Sequence, residues 1–307
     1  MLHQFFSKSK PIHFVVVYCL MLCWIVFISL MRSDSFKPVF LDIVWNGLLV
    51  LFILALFNFI VHRNRLTQNN SLALYFFSLF LMLFLGVSSD IDVLFSFSFF
   101  LLGLRRILSI RTAVDIRQKV FDAAFWMSIS AFFQPQALFF LLLIYSSLAL
   151  FEGKPNRFWF IPFVGVFVSV FLVFTWCYVT DHLPFFFDLF AFDNIVFWDF
   201  AQYSNAPNTL YFIFFTSLLT AFFFYKKLLR KSAIYRKVRL LIFFGWLISL
   251  LLIASFMSEA DNLMLLLFPF VAIFSASFTE YIHKPILKEL WMWLLTAFTA
   301  VLLIQSI

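Results

Sequence analysis

Residues 43–61 read Ile-Val-Trp-Asn-Gly-Leu-Leu-Val-Leu-Phe-Ile-Leu-Ala-Leu-Phe-Asn-Phe-Ile-Val, nineteen positions without a single charge. The run is apolar on every face of whatever element it forms. A segment in lipid must satisfy its own backbone hydrogen bonds, which leaves helices and closed barrels as the spanning structures. A barrel strand alternates apolar and polar residues over about ten positions. This stretch does not alternate, and it has about the twenty-residue length with which a helix crosses the hydrocarbon core. Residues 240–257 repeat the pattern.

The rest of the chain extends that reading. Of 307 residues, 64% are hydrophobic and 12% are charged, against about 25% charged in an ordinary soluble domain. No soluble fold hides so much apolar surface. Apolar stretches recur from Ile12 to Ile307, separated by short polar clusters. The predicted fold is therefore all-α, a polytopic membrane helical bundle. Spans are expected at 12–30, 43–61, 72–87, 93–104, 120–133, 136–151, 158–179, 208–225, 240–257, 263–281 and 290–307. That gives about eleven spans, or nine to eleven if 72–104 and 120–151 include re-entrant hairpins. Residues 1–307 are expected to form one transmembrane domain, since the sequence contains no Gly/Ser linker and no low-complexity tail. Within it, 180–207 interleaves phenylalanines with Asp188, Asp193 and Asp199, a composition suited to a segment lying in the external interface.

Lys8 and Lys10 precede the apolar run from Ile12 to Met31, an arrangement that resembles a secretory signal. The run is too long for a signal core and no small-residue cleavage site follows it, so it reads as a retained first span. Cys19 and Cys23 lie four apart in that span and Cys177 lies in another. Buried thiols of this kind behave as small apolar groups, and their spacing fits neither a disulfide framework nor a zinc site.

One step in the topology is open from the sequence. Residues 120–151 form either one long helix or two arms broken at Gln134-Pro135. Lys and Arg are retained in cytoplasmic loops, so they arbitrate. With two arms and an N-terminus inside, twenty of the 22 basic residues fall inside, and only Arg32 and Lys37 are outside. With one helix the inside count drops to nine. Proline also removes a backbone donor and disfavours helix at the residue before it. Two arms are expected, in a bacterial inner membrane.

On this topology the external mouth is acidic. Candidate general bases there are Asp34 in the first external loop and the pair Asp90 and Asp92, which flank a tight turn between two short apolar segments. Carboxylates below the membrane surface have raised pKa values and functional reasons to exist. Ser-Ser-Asp is also ordinary turn chemistry, and loops need solvating groups. Arg32 and Lys37, and the paired cations Arg105 and Arg106, are candidate binders of lipid phosphate. Ion pairs within the first loop, and topogenic charge, account for the same residues without a ligand. His182 beside Asp181 reads as a solvated loop residue. Glu280 lies near an inner span end, where Lys284 is placed to pair with it at i+4.

The cores of the spans carry no Asp, Glu, Lys or Arg, and glycine is scarce at six residues. Ion-coupled transporters use ionisable groups at mid-membrane and broken, glycine-rich helices. There is no Walker loop, HExxH or GxSxG motif, and no metal-ligand spacing. The 51 phenylalanines occur on all faces and read as packing and lipid-facing filler. The partners expected are membrane lipids and a membrane protein, with no nucleic acid.

The opening Phe5-Phe-Ser-Lys-Ser-Lys-Pro-Ile-His-Phe14, with Gly103-Leu-Arg-Arg106 and Lys119-Val-Phe-Asp-Ala-Ala-Phe-Trp126 running into Phe133-Gln-Pro135, resembles a multi-spanning inner-membrane family of the Bacteroidota. The likeness runs the whole chain. It implies location and fold, and it carries no established activity and no site residue. In architecture the chain also resembles polytopic glycosyltransferases that use polyprenyl-phosphate sugars. They share an inside N-terminus, an acid in the first external loop, for which Asp34 would stand, and paired short helices after it. The chain departs from them in its short 31–42 loop, in lacking an acidic doublet and in lacking an external C-terminal domain.

The reading placed first is a non-catalytic subunit or scaffold of an envelope assembly or secretion complex. The alternatives are a lipid-linked sugar transferase, with a divalent cation as its only implied cofactor, and a transporter or lipid flippase.

Overall fold

The computed structural model describes residues 2–32, 36–88, 90–151, 158–188, 208–228, 233–256 and 259–306. Among these residues the regular structure is helical, without strands. All eleven apolar segments expected to span form helices, and eight helices are long and apolar enough to cross a membrane. The chain divides into two compact units, 1–91 with 204–232 and 260–307, and 92–203 with 233–259.

The first unit contains α1 (Leu2–Phe6), α2 (Pro11–Arg32), α3 (Phe36–Asn64), α4 (Leu72–Val87), α10 (Asn208–Leu228), α12 (Ala260–Tyr281) and α13 (Pro285–Ser306). Its centre is α12, which packs on α4 and α10. Phe80 faces Phe268 at 5.9 Å, and Phe224 meets Phe274 at 4.4 Å. Helix α4 has 16 residues, about 24 Å at 1.5 Å per residue, short of the roughly 30 Å hydrocarbon core. Protein replaces lipid around it, since nearly every α4 side chain is buried, which is the environment that an all-round apolar helix suits.

Hydrogen bonds draw the chain start, the α3–α4 turn and the α12–α13 turn to one end of this unit. Ser71 N donates to Phe6 O at 3.0 Å, and His13 Nδ1 meets the Ser71 hydroxyl at 3.1 Å. Ser9 Oγ meets His62 Nε2 at 2.9 Å, while His3 N donates to Glu289 Oε1 at 3.1 Å. Gln68 N and Asn70 Nδ2 both donate to Glu280 Oε1, at 2.6 and 2.9 Å. Lys8, Lys10, Arg63, Arg65, Lys284 and Lys288 belong to these same three segments. The three basic groups that the charge count placed on one side therefore gather at one end.

The second unit contains α5 (Ile91–Ser109), of which Asp92 onward belongs here, α6 (Ile116–Phe133), α7 (Leu141–Phe151), α8 (Ile161–Val179), α9 (Leu183–Asp188) and α11 (Ala233–Ser255). Helix α6 ends at Gln134, which is extended, and Pro135 opens a 3-10 turn to Phe140. The chain reverses there. The Arg117 guanidinium lies 5.8 Å over the Phe158 ring, and the Lys237 ammonium lies 5.9 Å from the Phe151 ring. At the other end, Gln136 Nε2 donates to Glu259 Oε2 at 2.7 Å. A single helix over 120–151 cannot bring Phe158 back to Arg117, so 120–151 forms two antiparallel arms.

Helices α5 and α6 are longer than their apolar runs. Helix α5 has 19 residues and α6 has 18, about 28 and 27 Å, where 93–104 and 120–133 implied about 18 and 21 Å. Charged residues extend both helices: Arg105 and Arg106 continue α5, while Arg117 and Lys119 open α6. Lys119 Nζ reaches back to Ser109 O at 3.2 Å and Thr112 Oγ1 at 2.6 Å, snorkelling toward the polar turn.

Helix α8 packs on α6 through Gly165. A Cβ at that position would lie 2.8 Å from the Ala124 Cβ and 2.9 Å from Phe121 O. Small residues allow this approach where lipid supplies no hydrophobic drive between helices.

Candidate functional site

The predicted external residues separate when placed in the structure. Asp34 lies outside the described residues. Arg32 closes α2 and Lys37 lies in the first turn of α3. Asp90 and Asp92 are both exposed, immediately before and within the first turn of α5. A carboxylate there complements the positive helix end and the first unpaired N–H groups. Arg105 is half-buried, and Arg106 makes a 2.9 Å ion pair from α5 to Asp122 on α6. His182 is exposed. Of the segment 180–207, Leu183–Asp188 is helical and 189–207 lies outside the described residues.

Several polar groups near the span ends and interior join helices to one another. Ser96 on α5 and Ser130 on α6 bond reciprocally: their hydroxyls meet at 2.9 Å, and each donates to the other's carbonyl, at 2.9 and 2.8 Å. Glu280 is taken up by Gln68 and Asn70, contacts that the i+4 reading toward Lys284 did not anticipate. His3 sits below the usual histidine pKa, chiefly through burial and then through the charge of Lys288.

Two surface features were not visible as sites in the sequence. The first is on α8. Its Pro162, Gly165, Ser169 and Cys177 are buried. Phe163, Phe167, Phe171, Phe174 and Tyr178 are exposed, Phe167 at 70%. Their spacing of four, four, three and four keeps them on one side of the helix, away from α6. Adjacent members stack, Phe167 on Phe171 at 6.3 Å and Phe174 on Tyr178 at 6.4 Å, and Phe186 of α9 meets Phe174 edge-on at 5.2 Å. The 3-and-4 spacing was the available signal, hidden because phenylalanine is abundant on every helix.

The second is a groove of about 530 Å³ between α10 and α13 in the first unit. Its walls are apolar along most of their length, with Phe212 stacked on Phe298 at 4.8 Å. Asn208 and Gln305 stand at one end and Trp291 toward the other. The indole N–H of Trp291 is shielded from solvent and has no hydrogen-bond partner.

Among the described residues no three His, Cys, Asp or Glu side chains cluster as metal ligands. The two features instead offer apolar surface, one convex and one concave. Comparison with known proteins gives a family without an activity. No curated protein and no solved structure matches the chain. The profile of DUF6427, a family of unknown function, matches residues 1–305, and the chain belongs to that family.

Proposed function

We propose that this multi-pass helical membrane protein is a non-catalytic subunit of an envelope assembly in a bacterial inner membrane, and that α8 receives a transmembrane helix of a partner protein. The supporting observation is the exposed aromatic ladder of α8. Lipid is satisfied by aliphatic side chains in any order, whereas Phe167, Phe171, Phe174 and Tyr178 repeat at the 4-3-4 spacing with which one helix inserts knobs into another. Rigid aromatic side chains also supply large contact area at low entropic cost. The internal polar groups agree with this reading, because Ser96 and Ser130 join α5 to α6, and Gln136 and Glu280 fasten turns within their own units.

The test is site-specific photo-crosslinking in the native membrane. A crosslinker at position 167 is expected to trap one defined protein, while one at Ile304, also exposed and apolar, traps none. Phe167→Ala with Phe174→Ala should abolish the adduct without lowering the amount of chain. Mild-detergent extraction should yield a stoichiometric complex. A clean monomer, or equal crosslinking at 167 and 304, would overturn the proposal. In the transferase reading Asp90→Asn or Asp92→Asn abolishes complementation. Here both variants complement.

A further inference from the structure

We infer that the end of the first unit carrying Lys8, Lys10 and Lys284 is a binding surface for anionic glycerophospholipids, with the lysines at the phosphates and the neighbouring exposed apolar side chains at the start of the acyl chains. One tripeptide opens two helices there. Lys10-Pro11-Ile12 begins α2 and Lys284-Pro285-Ile286 begins α13, and both helices are long and apolar enough to span. In each, proline takes the first helical position, where its missing N–H costs nothing. The lysine stands one residue before the helix and the isoleucine at its second residue, so a charge and a hydrocarbon side chain lie about 3 Å apart along the axis. A phospholipid makes the same change, from charged phosphate to hydrocarbon, at the edge of the bilayer core.

The chain start turns the same two kinds of side chain outward. Phe6 is buried at 4% exposure and packs on Tyr75 and His13, at ring distances of 4.8 and 5.5 Å. Its neighbour Phe5 is exposed at 42%, and Lys8 and Lys10 are exposed beyond it. Phe6 therefore fixes the arm to the unit while an aromatic ring and two cations face out, the composition of an interfacial segment. The Ser9 hydroxyl meets His62 Nε2 at 2.9 Å, which brings Lys8 and Lys10 to the end of α3 that carries Arg63. Gln68 N donates to Glu280 Oε1 at 2.6 Å, which brings in the turn that holds Lys284.

The counter-charge for these lysines comes from outside the unit. The two carboxylates in the segments that meet here are already engaged, Glu280 by Gln68 N and Asn70 Nδ2, and Glu289 by His3 N. Among the described residues no carboxylate lies within ion-pair reach of Lys8, Lys10 or Lys284. The ligand must also cover apolar surface. An acidic protein segment would answer the charge and leave Phe5, Ile12, Ile286 and Leu287 uncovered, Ile286 at 77% exposure. A lipid answers both demands, since its phosphate pairs with ammonium groups and its chains cover the apolar side chains. Ile12 follows Lys10 by two residues and Ile286 follows Lys284 by two, so charge and apolar contact fall on one ligand.

The experiment is native mass spectrometry of the full chain in detergent, titrated with phosphatidylglycerol, phosphatidylcholine, glycerol phosphate without acyl chains, and a polyglutamate peptide. Phosphatidylglycerol is expected to bind most tightly, and to weaken as salt is raised from about 0.1 to about 1 M. Lys8→Gln, Lys10→Gln and Lys284→Gln together remove three charges, each contributing about fivefold at a lipid surface. That variant should bind phosphatidylglycerol on the order of 100-fold more weakly and lose the preference over phosphatidylcholine. Arginine at the same three positions should keep both. Phe5→Ser should weaken the two lipids alike, because an apolar contact does not read charge. Arg117→Gln, Arg236→Gln and Lys237→Gln make the same change of net charge in the second unit and should leave the tightest affinity as it is. Equal affinity for the two phospholipids, equal losses in the two charge-removal variants, or glycerol phosphate or peptide binding as tightly as phosphatidylglycerol overturns the inference. The lysine surface and the α8 ladder lie in different units, so this result and the crosslinking result are independent.

Discussion

Gln136 donates from Nε2 to Glu259 Oε2 at 2.7 Å, tying the α6–α7 turn to the residue that follows α11. Two residues earlier, Gln134 is equally buried at 3% exposure, but neither atom of its amide has a partner. The two glutamines should therefore respond oppositely to leucine. Gln136→Leu strips a charge-assisted bond from a carboxylate and is expected to destabilise by about 1.5–3 kcal/mol. Gln134→Leu removes an uncompensated buried amide and should be neutral or stabilising. Thermal unfolding in detergent of both variants checks the contrast, and equal losses would contradict it.

The α6–α8 contact makes a second contrast. At Gly165 an added Cβ meets the backbone oxygen of Phe121 at 2.9 Å, and backbone does not yield. At Gly103 it meets the Met127 side chain at 2.9–3.1 Å, and methionine adapts readily. Gly165→Ala should cost about 1–3 kcal/mol by overpacking, and Gly103→Ala clearly less. A disulfide-trapping or unfolding assay that ranks them the other way would refute this account of the packing.

What was legible in the sequence follows from the length scale of each signal. A nineteen-residue uncharged run such as 43–61 has one physical solution in lipid, so the helices were readable. The proline at 135 and the distribution of lysine and arginine were enough to choose two arms over one. Helix ends were less legible, because Arg105, Arg106, Arg117 and Lys119 interrupt the apolar pattern without interrupting the helix. Glu280 was assigned to the nearest sequence neighbour, Lys284, yet it bonds Gln68 and Asn70 some 210 residues away. The α8 ladder and the Trp291 groove depend on which aromatic faces remain uncovered, and only tertiary packing decides that.

The docked chain start gives a pH dependence. His3 donates its backbone N–H to Glu289 at 3.1 Å, and its ring is held below the ordinary value of about 6.5 by burial and by Lys288. Above that ordinary value the imidazole is neutral whether α1 is docked or free, so docking has its full strength. As the pH falls the free segment takes up a proton first, and the stabilisation is lost as the pH passes the lowered value. Limited proteolysis within Leu2–Phe6 should be slow at pH 7.5 and accelerate toward pH 5. His3→Gln should flatten that profile, and an unchanged rate across the range would argue against the assignment.

The hairpin of α6 and α7 makes the sharpest statement about topology. Because Arg117 meets Phe158 and Lys237 meets Phe151, Phe158 lies at the same end of its unit as the basic turn before α6. With the proposed inside N-terminus, that turn, with Arg105, Arg106, Arg111, Arg117 and Lys119, is expected in the cytoplasm. A fluorescent protein fused after residue 152 should therefore fold and emit. Alkaline phosphatase at the same junction should be inactive, and active when fused after His182, one span later. Activity at 152 would mean that 120–151 crosses once and would invert every helix downstream. A single crossing would leave Gln136 near the middle of the span and Glu259 in the turn between α11 and α12, which the 2.7 Å bond between them opposes.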